Sequence, residues 1–280
     1  MTRKLPLAVA LVALAAPPAR GGDSGRTPFA SMLTQLQRAD PPLVWVIDGA
    51  GDLKGCSKAL ASANTLAGNL VELCAFQWSH GYGRLLMDQV SMTHARTQGM
   101  KLAARIQERQ KLEPGRRVVV VAHSAGCAVA LAAGDILPPD SIDRIILLAP
   151  SVSTGYDLRP SLRAAREGVD VFCSKKDWLA LGFVTRVVGT TDKFLAPAAG
   201  RHGFRVNAPD AEVNRLRQHF WSADLAWTGH TGGHYGVHAP AFIHAYLFPA
   251  FGVQMPTEGP RVAPAAPMTV RTEYRPYLGR

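Results

Sequence analysis

Four consecutive valines, Val118 to Val121, constrain this chain of 280 residues more than any other feature. A β-branched run with no polar alternation cannot be a strand with one wet face; it reads as a strand buried on both sides in a parallel sheet. It leads directly into Ala122-His123-Ser124-Ala125-Gly126 and then into the small, apolar stretch 126–134, which reads as a helix. The chain must therefore turn within a few residues at the end of the sheet, with Ser124 at the bend.

The remaining segments repeat this alternation. Pro28 to Ala39 reads as a short helix stopped by Asp40-Pro41-Pro42, because a proline disfavours helical geometry in the residue before it. Leu43 to Ile47 is a continuous apolar strand with the exit loop Asp48-Gly49-Ala50-Gly51-Asp52. Ser57 can cap a helix running to about Gly68, and Val71 to Phe76 makes the next strand. Gly83 to Gln110 carries Leu86, Val90, Leu102 and Ile106 at near-helical spacing and is closed by Pro114-Gly115. Strands follow at Arg144 to Ala149 and Val169 to Cys173, with a helix from Leu158 to Glu167 between them. Either Phe204 to Asn207 or Leu216 to Trp221 supplies the last strand, and Ala239 to Leu247 reads as a closing helix. Strands and helices alternating at this spacing call for right-handed crossovers, so the expected fold class is α/β: one three-layer α/β/α domain with a mainly parallel sheet.

Composition agrees with a large core, since 47% of residues are apolar and only 19% charged. The formal net charge is +10, but the basic residues are scattered in pairs such as Arg116-Arg117 and Lys175-Lys176. Without a basic run or an aromatic-interleaved stripe, nucleic acid is not an expected partner. No stretch reaches the roughly 18 to 20 apolar residues of a bilayer span. Residues 1–22 combine a basic start (Arg3, Lys4), an apolar run from Leu5 to Ala16 and a Pro17-Pro18 break, the layout of a cleavable secretory signal. An exported domain over residues 23–250 and a loosely attached, proline-rich tail over 251–280 are the expected organisation. Cys56, Cys74, Cys127 and Cys173 form no C-x-x-C pair, which argues against thiolate metal or redox centres. Export permits a disulfide, Cys56 with Cys74 being the first pairing to test, and buried free thiols are the alternative.

The chemistry concentrates at Ser124. A serine on a sharp strand-to-helix turn is held exposed, and the residues two before and two after it must be small, as Ala122 and Gly126 are. This segment resembles the nucleophile elbow of the α/β-hydrolase family, G-x-S-x-G, here A-H-S-A-G with Ala122 in place of the first glycine. The resemblance extends over roughly Leu43 to Leu247, without the leading antiparallel strands of many members and without room for a large cap domain. It implies the chain order Ser, then an acid after a later strand, then His in a loop near the end. Asp177, in Ser174-Lys175-Lys176-Asp177-Trp178, is the expected acid; Asp192 competes with it and Asp224 is more distant. His234, in the glycine-rich loop 229–238, is the expected base. The oxyanion donors implied are the backbone N–H groups of Ala125, at the start of the helix, and of Ala50, in the loop where Asp48 stands in place of the family's histidine.

No cofactor and no metal is expected. Gly49 and Gly51 lack the rest of a dinucleotide or phosphate motif. His230, His234 and His238 are spaced by four, but the intervening glycines oppose a helix that would align them. His123 and His80 are expected to line the site or bond locally. Trp78, Tyr82, Tyr156, Trp178 and Trp227 are expected to rim the pocket. The resemblance thus implies an exported serine esterase acting on a small-molecule, lipid or polymer acyl ester through an acyl-enzyme. An acyltransferase or peptidase with the same triad, or a non-catalytic binding protein on this scaffold, are the competing readings.

Overall fold

A computed structural model describes residues 40–177, 190–193, 196–206 and 210–253. The expected signal segment, the helix from Pro28, Trp178 and all but the first residues of the tail lie outside them. Six strands form one sheet: β1 (Leu43–Ile47), β2 (Glu72–Ala75), β3 (Val118–His123), β4 (Arg144–Leu148), β5 (Val169–Cys173) and β6 (Leu216–Phe220). Their order is β2-β1-β3-β4-β5-β6, and every pairing is parallel. Chain order reverses at β1, and crevices at such switch points, outside the carboxyl ends of the strands, are where α/β sheets take ligands.

The valine run is buried throughout, and its alternate residues feed two separate cores. Val118 and Val120 pack with Leu102, Ile106 and Leu131 of helices α3 (Met92–Leu112) and α4 (Gly126–Gly134). Val119 and Val121 face the other way, onto Leu60 of α1 (Gly55–Leu66) and onto Phe242, Leu247 and Phe248 of the closing segment. Helices thus cover both faces, and the three-layer α/β/α expectation is met.

Several boundaries differ from expectation, each for a local reason. The helix expected from Gly83 to Gln110 is two helices, α2 (Leu85–Val90) and α3, because Ser91 leaves helical geometry and its side chain accepts the His94 amide at 3.3 Å. α1 starts at Gly55 rather than behind Ser57, and its cap comes from afar: Asp48 Oδ1 accepts the amides of Cys56 (2.8 Å) and Ser57 (3.0 Å). Helix α5 spans only Arg159–Ala164, because Ala165 is drawn into an extended bridge with Ile142. Of the two candidates for the last strand, Leu216–Phe220 is the strand. Phe204 is tied to it by the Gln218 side-chain amide, which accepts the Phe204 N–H at 2.6 Å and donates to its carbonyl at 3.1 Å. The closing helix runs past Leu247, through Pro240–Phe242, a π-type turn at Ile243–Leu247 and Phe248–Ala250. The core does not end at residue 250, since Phe251 is fully buried and its carbonyl accepts Arg117 Nε at 2.8 Å. The four cysteines carry free thiols, so the Cys56–Cys74 bridge is not formed.

The amino ends of the strands carry a belt of ion pairs. Arg116, just before β3, pairs with Glu72 of β2 at 2.6 Å and with Glu113 at 2.7 Å. Glu167, before β5, pairs with Arg117 and, at 2.7 Å, with Arg144 of β4. Asp170 of β5 meets Arg144 at 2.9 Å, Arg217 at 2.8 Å and His219 at 2.7 Å. Burial alone would raise the Asp170 carboxyl, yet the hydrogen bonds from His219 and Arg217 hold it well below the usual carboxylate range. Among the described residues, no helix is long and apolar enough to cross a membrane.

Candidate active site

The sharp bend after β3 is real and costly. Ser124 has φ +54°, a left-handed conformation that costs a non-glycine residue about 1 to 2 kcal/mol. Its backbone is fixed on both sides: the amide donates to Leu148 O at 2.9 Å, and the carbonyl accepts the amides of Cys127 (3.2 Å) and Ser151 (3.1 Å). The turn can close because Gly126 lacks a side chain, and Ala122 lies fully buried in β3.

Two further loops reach this point from the same end of the sheet. Asp177 follows β5 and is 2% exposed; its Oδ2 lies 2.6 Å from His234 Nδ1. His234 Nε2 lies 2.9 Å from Ser124 Oγ. The acid and histidine loops are stitched together, with Ser174 Oγ donating to Gly232 O at 2.6 Å and Trp221 Nε1 to His230 O at 2.7 Å. Gly229 and Gly232 take φ values of +82° and +94°, the positive values that let the histidine loop double back. Ser124, His234 and Asp177 are therefore one hydrogen-bonded chain. Such a chain can remove a proton from the hydroxyl as its oxygen attacks a carbonyl carbon, while the carboxylate fixes the imidazole tautomer. Among the described residues, Asp177 Oδ1 is buried without a hydrogen-bond partner, which concentrates that carboxylate's bonding on His234.

The competing residues go elsewhere. Asp192 accepts the Ser153 amide at 2.6 Å, Thr190 Oγ1 at 2.9 Å and the Ser153 hydroxyl, so it ties down its own loop. Asp224 lies in the first turn of the short helix Ala223–Thr228. His230 is buried edge-on to Phe242, and burial pulls its pKa down to about 4. His123 lines the cleft, with Nε2 3.1 Å from His234 O. Burial, with His234 and His238 nearby, pushes His123 well below the usual imidazole value. Burial likewise brings His238 to about 4. At neutral pH these three rings are uncharged, and His234 is the imidazole that has a carboxylate at its far nitrogen. Cys127, directly behind the bend, is fully buried and its thiol is raised by that burial, which disqualifies it as a nucleophile.

A cleft of about 200 Å³ opens beside Ser124, lined by Gly49, Ala50, Leu53, Leu85, Gln89, Tyr235 and His238 among others. Gly49 passes directly over the serine: a Cβ on it would lie 3.3 Å from Ser124 Cβ and 3.2 Å from His123 Nδ1. Ala50 follows as the first residue of a single 3-10 turn, and Ala125 is the N-cap of α4, where amides lack intrahelical partners. Asp48 does not face the cleft as an oxyanion residue; it caps α1, and its carbonyl accepts Trp78 Nε1 at 2.8 Å.

Among the described residues, the expected aromatics do not rim the cleft. Trp78 is 3% exposed in the core, Tyr156 packs against that core, and neither Tyr82 nor Trp227 lines the cleft. Its aliphatic side is formed by Leu53, Leu85 and Leu86, because α2 lies over Gly51 with the Leu85 side chain against it, and Tyr235 adds an aromatic ring. Sequence reasoning missed Gln89 and Ser151 as cleft residues. Gln89 Nε2 donates to Ser151 Oγ across 62 positions, a pairing with no local signature.

No family model matches the chain, and none of the curated proteins does. Among solved structures, Cfl2 of Burkholderia cenocepacia is 22% identical with a TM-score of 0.29, over 42% of this chain and 36% of that one. A cutinase-like protein from Cryptococcus sp. is 12% identical with a TM-score of 0.39, over 77% of this chain and 97% of its own. The catalytic core domain of acetyl xylan esterase from Trichoderma reesei is 15% identical with a TM-score of 0.37, over 74% and 98%.

Proposed function

We propose that this protein is an exported serine hydrolase that cleaves carboxylic esters. The observation that carries the reading is the continuous chain from Ser124 Oγ through His234 to Asp177, at 2.9 and 2.6 Å, between residues 110 and 57 positions apart. Ordinary packing has no need to align a strained serine, an imidazole and a buried carboxylate in that order. The placement at the switch point of a parallel sheet supports it further.

In this reading Ser124 Oγ attacks the ester carbonyl carbon and His234 Nε2 takes its proton. The tetrahedral oxyanion receives the amides of Ala125 and Ala50, each worth about 3 kcal/mol by analogy with other oxyanion donors. His234 then returns the proton to the departing alcohol, leaving an acyl group on Ser124. Water, deprotonated by the same imidazole, attacks that acyl-enzyme and restores the hydroxyl. Asp177 holds Nδ1–H throughout and stabilises the imidazolium without becoming protonated. The leucine side of the cleft suits the acyl chain.

The test is labelling of the purified protein with a fluorophosphonate, followed by mapping of the adduct and an assay on short-chain esters. Labelling at Ser124, abolished in Ser124→Ala and strongly reduced in His234→Ala, is expected. Folded protein that neither labels nor hydrolyses any ester would overturn the proposal.

A further inference from the structure

A second cluster of ligand-type side chains lies away from Ser124. His80, Asp88 and His94 each bring one potential ligand atom to within 4.8 Å of the others. They come from three segments: the loop after β2, helix α2 and the first turn of α3. Asp88 is fully buried. Its Oδ1 accepts the His80 amide at 2.9 Å and lies 2.8 Å from His80 Nδ1; its Oδ2 accepts the Gly51 amide at 2.7 Å and the Ser79 hydroxyl. A carboxylate aimed by backbone amides in this way is preorganised as a ligand.

Asp88 and His80 alone would make a hydrogen-bonded loop cap. His94 brings a third ligand-type side chain to the same place, its ring stacked on that of His80 with centroids 3.7 Å apart and planes 28° from parallel. One divalent cation would use a lone pair from each ring and set two positive charges against Asp88. His94 Nε2–H donates to Trp78 O at 2.5 Å, a bond that fixes the tautomer and leaves Nδ1 as the ring nitrogen with a lone pair. The His80 side chain is 24% exposed, which leaves a path from solvent.

We propose that His80, Asp88 and His94 bind one divalent transition cation of the zinc type. Two imidazole nitrogens and one carboxylate oxygen are a donor set that zinc takes at about 2.0 to 2.2 Å, with a fourth position for water. An ion at that distance sets tetrahedral ligand atoms about 3.3 to 3.6 Å apart, so His80 Nδ1 and Asp88 Oδ1, now 2.8 Å apart, separate and the stacked rings splay, an adjustment within reach of the partly exposed His80 ring. The proton between His80 Nδ1 and Asp88 moves to Nε2, which frees the Nδ1 lone pair. The ion's role is structural: Asp88 also holds Gly51, and α2 carries Leu85 and Gln89, so a bound cation fastens one wall of the cleft to α3. The proposal does not depend on Ser124 being a nucleophile.

The test is equilibrium binding of Zn²⁺ to the chelator-stripped full chain, with metal content after desalting and thermal melts with and without Zn²⁺. Asparagine at position 80 can still donate to Asp88 but ligates zinc poorly, so His80→Asn removes the ligand and keeps the cap. One retained equivalent is expected, with a higher Tm in Zn²⁺. Affinity at least about tenfold weaker is expected in both His80→Asn and His94→Gln, and unchanged affinity in His238→Asn. Folded wild type that retains no zinc, undiminished affinity in both cluster variants, or loss of binding in His238→Asn would each overturn the proposal.

Discussion

Gly126 presses its α-carbon against the backbone of Asp48: a Cβ there would lie 2.3 Å from Asp48 O and 2.9 Å from Ile47 O. This approach docks the start of α4 on the end of β1 and brings the Ser124 bend beside the Gly49-Ala50 loop. The obstacle is main chain, which cannot swing aside as a side chain would. Gly126→Ala is therefore expected to cost about 3 kcal/mol or more, lowering Tm by roughly 5 °C or more in a domain of this size. A thermal melt matching wild type would contradict the docking described.

Asp177 and Asp192 can be told apart by what each supports. Asp177→Asn keeps the shape but favours the wrong imidazole tautomer, so turnover on an ester is expected to fall by about 10⁴ with little change in Tm. Asp192→Asn should leave turnover within a few-fold and lower stability by about 1 to 3 kcal/mol, because it weakens the bonds to Ser153 and Thr190. Steady-state kinetics and melts on both variants decide the assignment, and the reverse pattern would reject it.

Removal of the Ala50 N–H is possible without disturbing its loop. Ala50 is the first residue of its helical turn, where proline is tolerated, and Gly49 before it already has the extended ψ of −176° that a following proline favours. Ala50→Pro is expected to keep Tm near wild type while kcat drops about 10²- to 10³-fold with KM little changed. An unaltered kcat would take this amide out of the oxyanion site.

Stability should fall as the solution is acidified, beginning with the buried histidines. Burial holds His230 and His238 near 4, against an ordinary 6.5, and lowers His123 in the same direction. Between those values the unfolded chain binds protons that the folded chain refuses, so stability is complete above about pH 6.5 and declines toward pH 4. Glu167, lowered to about 2 by its hydrogen bonds from Arg117, adds a second loss below its ordinary 4.5. A melt series over pH 4 to 8 should show this slope, and His230→Asn should flatten it. A Tm independent of pH across that window would contradict the burial of these rings.

Much of the fold was legible because burial on both faces writes a strand in consecutive apolar letters, as Val118 to Val121 and Leu43 to Ile47 do. The bend at Ser124 was equally legible, since a strand, two small residues and a helix leave the serine nowhere else to go. Ser124, His234 and Asp177 come together because each follows a strand of one parallel sheet and so arrives at one edge. The cleft walls were not legible. Trp78 looked like a rim residue, but its ring is in the core and its Nε1–H is satisfied by Asp48 O, a tertiary partner 30 positions away. Asp48 itself caps a helix seven residues on, and no spacing rule announces that. The break at Ser91, which turns α2 over Gly51, depends on a single serine leaving helical geometry within an otherwise periodic run.

The belt of arginines and carboxylates lies at the edge where the parallel strands begin, a full strand length from the edge where Ser124, His234 and Asp177 gather. The ion pairs and the proposed site thereby stand at opposite poles of one sheet. Changes to Arg117, Arg144 or Asp170 can reset how much heat or acid the protein withstands while Ser124, His234 and Asp177 keep their positions. The molecule can thus be retuned for a harsher medium without renegotiating its chemistry.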